Sequence, residues 1–165
     1  MLPNKRKLSV YSALFTANLI HPVYAGFDQW AINEFFTSSD GALQYIELMT
    51  TADDQADLAG RLLSTLDLNG QLQNSLMFAN NLTGETANKT LLLATESFAA
   101  LTGLTPDFVI TARFLPINGG SIDFASGIAV VSYTASQLPK NGVQALGIDG
   151  VEEGFKPPAP SPQPY

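Results

Sequence analysis

Apolar positions recur along this chain in three rhythms, and each predicts a different kind of element. The first is a single run over residues 8–20, behind the basic start Lys5-Arg6-Lys7. It falls short of the roughly 20 residues a spanning helix needs, and Val23-Tyr24-Ala25 before Gly26 has the pattern of an export cleavage site. Residues 1–25 are therefore expected to be a signal peptide. The second rhythm is alternation. From about residue 29 to residue 133, short segments rich in β-branched and aromatic residues are punctuated by Gly, Asn, Asp and Pro, a spacing that points to a sandwich or barrel. Asp40-Gly41 joins residues 31–36 to 43–48, and Asn69-Gly70 joins 61–66 to 72–78. Both dipeptides accept positive φ, so two antiparallel hairpins are expected. Alternation puts Phe35, Ile46 and Leu48 on one face of the first hairpin, the core side.

The third rhythm is the unbroken run Thr90-Leu91-Leu92-Leu93-Ala94, which fits a strand buried on both faces. It leads into residues 95–103, where Thr95 as a cap, helix formers and Gly103 predict about two helical turns. Pro106 then opens a strand over 107–113. Asn118-Gly119-Gly120 marks a turn before a strand at 121–124, and 128–133 completes the set. The tail, 156–165, carries prolines at 157, 158, 160, 162 and 164 and cannot join a sheet. It is expected to be extended and polyproline-like. The expected organisation is a signal peptide at 1–25, a β-sandwich domain at 26–135 and a C-terminal extension at 136–165.

Composition changes this picture chiefly by exclusion. The chain has no Cys, and its one histidine, His21, lies inside the leader. A mature protein without either loses the usual zinc and haem ligands and the usual base for a serine or cysteine nucleophile. It also loses disulfides, so burial alone must stabilise the fold. Three of the eight basic residues and none of the fifteen acidic ones fall in the leader, leaving a mature net charge of about −10. Such a chain repels phosphate backbones, so nucleic acid is not an expected partner. After signal cleavage no segment is apolar enough for membrane insertion, and the expected location is secreted or cell-surface, with the periplasm as the alternative.

The order of segments resembles the lamin-tail-like domain family as found in secreted bacterial proteins. Ile32-Asn33-Glu34, Tyr45-Ile46-Glu47-Leu48 and Asp57-Leu58-Ala59-Gly60 followed by Leu62-Leu63 are similar to that family's opening blocks. Residues 90–95 with Ser97-Phe98-Ala99-Ala100-Leu101, and 115–124 around Asn118-Gly119-Gly120, resemble its later ones. Arg61 and Met49-Thr50 depart from the pattern, standing where the family often has Trp, and an aromatic with Asn. The resemblance implies an immunoglobulin-like antiparallel β-sandwich with one short helix, serving attachment or recognition.

Carboxylates are the charged groups left for chemistry. If Asp40-Gly41 is a two-residue turn, Ser39 opposes Ala42 and Glu34 lies directly opposite Glu47. Facing like charges destabilise a sheet unless they are solvated, share a proton or meet a cation. Arg61 or Arg113 on a neighbouring strand is one candidate cation, and calcium is another. Asp53-Asp54-Gln55-Ala56-Asp57 is a second acidic cluster, but it lacks the Gly and Glu positions of an EF-hand. The candidate metal ligands are thus Glu34, Glu47, Asp53, Asp54 and Asp57, with calcium as the metal and no catalytic residues assigned. Trp30 and Tyr45 are candidates for a recognition surface, with core packing as the competing assignment. The leading expectation is an exported, non-enzymatic sandwich that binds a protein or cell-surface ligand. A calcium-dependent binding module and a self-assembling subunit, oligomeric through sheet edges, are the alternatives, and a two-carboxylate hydrolase ranks last.

Overall fold

The structure is a computed structural model that describes residues 27–147 and 150–152. The expected signal peptide and Pro-rich tail lie outside those residues. The fold is an all-β, immunoglobulin-like sandwich of two sheets with one helix. β1 (Trp30–Thr37), β2 (Gln44–Thr50), β5 (Lys89–Thr95), β6 (Phe108–Ile110), β9 (Ala145–Gly147) and β10 (Gly150–Glu152) form a six-stranded sheet in the order β10-β9-β1-β2-β5-β6. β3 (Leu62–Asp67), β4 (Leu72–Met77), β7 (Gly119–Phe124) and β8 (Ala129–Thr134) form the second, in the order β4-β3-β7-β8.

Both expected hairpins are present and antiparallel. The first turn is longer than two residues. Ser38 N–H donates to the Leu43 carbonyl at 2.8 Å, leaving four residues in the loop, and the Asp40 carboxylate accepts from Ser38 Oγ and Ala42 N. Adding one residue to each side of a turn preserves the pairing beyond it, so Glu34 still faces Glu47. Further down, the register shifts between Ile32 and Glu34, and Asn33 forms a bulge.

The core between the sheets contains Trp30, Ile32, Phe35, Ile46, Leu48, Leu63, Leu91, Leu93, Ile122 and Phe124. Aromatic rings cross the interface: Trp30 meets Phe124 edge-on at 6.4 Å, and Phe35 lies 4.9 Å from Tyr133. Trp30 is 2 % exposed and Tyr45 fully buried, so the recognition surface considered for them is corrected to packing. Gln44 ties the layers with polar bonds, its side chain exchanging hydrogen bonds with both the N–H and the carbonyl of Leu115.

β5 is buried on both faces, as its run of leucines requires: Leu91 and Leu93 enter the main core, while Leu92 and Ala94 face outward. The outward side chains are covered by α1 (Glu96–Thr102), whose N-cap Thr95 accepts from Phe98 N–H and whose C-cap Gly103 is left-handed at φ 72°. The helix returns the chain to pair β6 parallel to β5. β6 ends at Ile110, short of the expected 113. Arg113 at φ 61° and a bond from Arg113 N–H to the Gly41 carbonyl turn the chain away from the sheet. In β7, a Cβ on Gly120 would overlap the Leu66 carbonyl oxygen, so only glycine lets β7 lie this close to β3. Residues after 135 also join the sandwich: β9 pairs with β1, and β10 with β9.

Candidate functional site

The outer face of the six-stranded sheet carries the most concentrated chemistry among the described residues. Strand alternation sends Glu34 and Phe36 of β1, Tyr45 and Glu47 of β2, and Leu92 and Ala94 of β5 to this side. Phe36, Tyr45, Leu92, Ala94, Phe98 and Ala145 form a second apolar cluster there. Phe36 stacks on Tyr45 with ring centroids 5.6 Å apart, and Phe98 of α1 sits 5.0 Å from Tyr45. Beside them, a cleft of about 500 Å³ opens between α1 and the 142–143 turn, lined by Phe36, Leu43, Phe98, Leu101, Leu104 and Val143.

The facing carboxylates border this cluster. Glu34 is 7 % exposed and Glu47 is 5 % exposed, so the expected pair exists but is not solvated. Tyr45 Oη donates to Glu34 Oε1 at 2.6 Å, and Asn33 Nδ2 donates to Glu47 Oε1 at 2.6 Å. The β1 bulge is what brings Asn33 to the pair, since regular alternation would send it to the opposite face from Glu34. Each glutamate has further partners besides these. Arg61 and Arg113, the expected counter-charges, are engaged in other loops. The Arg61 guanidinium lies 4.6 Å from the Phe27 ring centroid and its Nε donates to the Asp57 carbonyl, while Arg113 Nε donates to the Asp40 carbonyl.

The acidic loop does structural work. Asp53 Oδ1 accepts from Thr86 N–H at 2.8 Å, and this bond, followed by the Asp54 N–H, holds its carboxyl below the ordinary value. Asp54 occupies a left-handed turn position at φ 59°. Asp57 Oδ1 accepts from Asn81 Nδ2, whose own Oδ1 accepts from Ala59 N–H. The residue that organises the loop is Gln55, 1 % exposed. Its Oε1 accepts from the N–H groups of Asp28 and Gln29, and its carbonyl accepts from Trp30 Nε1. Nothing in the sequence singled out Gln55, because its role depends on chain segments far apart in sequence. Tyr45 as the donor to Glu34 was equally hidden, whereas an Asn inside a strand, at position 33, is a signal for a bulge.

Among the described residues, no three His, Cys, Asp or Glu side chains come together as a metal site requires. The five acids named as calcium ligands are therefore not gathered into one such site. They divide into a strand pair and a loop whose Asp53 and Asp57 carboxylates accept hydrogen bonds from Thr86 and Asn81.

The four-stranded sheet contrasts with this. Its outer face shows Leu62, Leu72, Met77 and Val130 between 40 % and 65 % exposed. Leu62 lies directly across from Met77, and Leu66 across from Leu72, with the Ser64–Ser75 pair between them on the same face. Both outer strands of this sheet, β4 and β8, are six residues long and contain neither a charge nor a proline. Among the described residues no helix is long and apolar enough to cross a membrane. No family model matches the chain, and no curated protein matches it significantly.

Proposed function

We infer that this protein is an exported, non-enzymatic recognition domain that binds a protein or cell-surface ligand through its four-stranded sheet. The reading keeps the lamin-tail-like resemblance as its family and residues 1–25 as its export signal. The observation that carries it is the two exposed apolar pairs, Leu62–Met77 and Leu66–Leu72, beside β4, which is an edge strand among the described residues. Apolar side chains paired across strands and left exposed raise the free energy of the isolated domain in water, and a partner that covers them recovers that burial. A partner laid along β4 also gains main-chain hydrogen bonds. A benzophenone side chain at position 77, activated by light in cells that export the protein, should give one discrete adduct that Leu62→Asp abolishes. No adduct at 77, or the same adducts from exposed position 137, would overturn the reading.

A second reading, self-assembly, is favoured by β8. Its six pairs with β7 run without a register shift, and none of its residues blocks an added strand. A two-fold axis at Ser132 would set Val130 opposite Thr134 and Val131 opposite Tyr133, keeping outward residues with outward and inward with inward. Light scattering should then show a dimer that Val130→Lys dissociates; a monomer at every concentration excludes it.

A further inference from the structure

Alternation sorts the outward side chains of the four-stranded sheet into rows that run across its strands. The central row is Ser75, Ser64, Asp123 and Val130, each paired with the next from β4 to β8. Apolar pairs flank it on β3 and β4, Leu62–Met77 on one side and Leu66–Leu72 on the other. Asp123 is the single charge at an outward position of these four strands. Its neighbours Ile122 and Phe124 are fully buried, and Asp67 shares the inward phase of Leu63 and Thr65. Gly127 N–H donates to Asp123 Oδ1 at 2.7 Å, which ties one carboxyl oxygen to the β7–β8 turn.

This pattern specifies the chemistry of what covers the face. A partner that laid apolar groups over all of it would strip water from the Asp123 carboxylate, a cost that a counter-charge offsets. The four cations within the described residues each bond to a backbone carbonyl: Arg61 to Asp57, Lys89 to Thr83, Arg113 to Asp40 and Lys140 to Ile117. The counter-charge therefore comes with the partner. The mature net charge of about −10 draws a cationic partner in at long range, and repels a second copy. Leu62 and Leu66 are four residues apart on β3, about 13 Å at ~3.3 Å each. An extended segment with aliphatic side chains two positions to either side of its cation has the same span. Packed sheets lie about 10 Å apart, a gap that an arginine or lysine from above and an aspartate from below close together.

We propose that the partner of the four-stranded face is an extended, cationic protein segment centred over Ser64. Its arginine or lysine reaches Asp123 one strand away, and its aliphatic side chains cover Leu62–Met77 and Leu66–Leu72. The inference rests on the reading of this face as the binding surface and names the class of segment that the surface takes. Apolar contact supplies the burial, and Asp123 selects the charge of the residue between the two apolar anchors.

Titration of the ¹⁵N-labelled mature chain with three synthetic peptides tests it. Each is seven residues long, acetylated and amidated, with valine two positions to either side of the centre, threonine elsewhere, and arginine, glutamine or glutamate at the centre. The arginine peptide should shift the amides of Leu62, Ser64, Asp123 and Val130 and bind about ten-fold more tightly than the glutamine peptide, with the glutamate peptide weakest. Asp123→Asn keeps an acceptor for Gly127 N–H and should leave the rest of the spectrum unchanged while making the arginine and glutamine peptides equal. Arginine and glutamine peptides that bind this face equally to the parent would overturn the cationic partner and leave the face as a binding surface. No shift on this face with the arginine peptide at about 5 mM would overturn the inference, and the crosslink at position 77 then decides separately whether the face binds anything. Shifts of the same amides on concentrating the chain alone would assign the face to a second copy and also overturn it.

Discussion

The two sheets bury their outer faces very differently. Outside the six-stranded sheet, α1 and its neighbours cover Tyr45, Leu92 and Phe98 to within a few per cent of full burial, and even two glutamates are enclosed. Outside the four-stranded sheet, Leu72 and Met77 remain more than 60 % exposed. The same kind of residue therefore has opposite meaning on the two sides. Apolar residues under the helix lose their contact with water on folding, whereas Leu62, Leu72 and Met77 on the outer face of β3 and β4 largely keep theirs.

Truncations on the two faces would break this comparison most directly. Phe98→Ala should cost about 3–5 kcal/mol in urea unfolding, since a fully buried ring that contacts Phe36 and Tyr45 is replaced by a cavity. An effect under about 1 kcal/mol would mean that the helix does not complete a core. Tyr45→Phe is the next largest, about 2 kcal/mol, because it removes a buried hydrogen bond and leaves Glu34 Oε1 with one donor fewer. Met77→Ala should stay within about 0.5 kcal/mol of the parent, while weakening any partner bound along β4. A large loss of monomer stability there would erase the distinction between the faces.

The smallest effect belongs to the acidic loop and appears only in acid. The Asp53 carboxyl is held below its ordinary value in the fold, mainly by the Thr86 N–H, so ionised Asp53 favours the folded state. Its contribution is complete above the unfolded value of about 3.8 and disappears as pH falls through the lower folded value. Asp53→Asn should remove this part of the acid limb and leave the slope of stability above pH 5 unchanged. Millimolar calcium should not move the melting midpoint of either protein; a shift lost on chelation would restore the loop as a cation site.

Local signals made much of the fold legible. Asp-Gly and Asn-Gly marked the hairpins, the leucine run marked a doubly buried strand, and Thr95 with Gly103 marked the helix ends, because each depends on chemistry within a few residues. Even the Glu34–Glu47 pairing followed from turn position, and it survived a longer turn because the extra residues fell equally on both sides. Three features were set only by tertiary structure. β6 pairs parallel to β5 because α1 carries the chain back across the sheet, a long-range outcome that a short apolar segment does not specify. Gln55 became a hub because Asp28, Gln29, Trp30 and Thr86 converge on it from distant segments. The acids separated into a buried pair and a loop bonded to Asn81 and Thr86 for the same reason. Sequence fixes which side chains are carboxylates and which strand face they share, but burial and counter-charge depend on what the rest of the chain lays over that face.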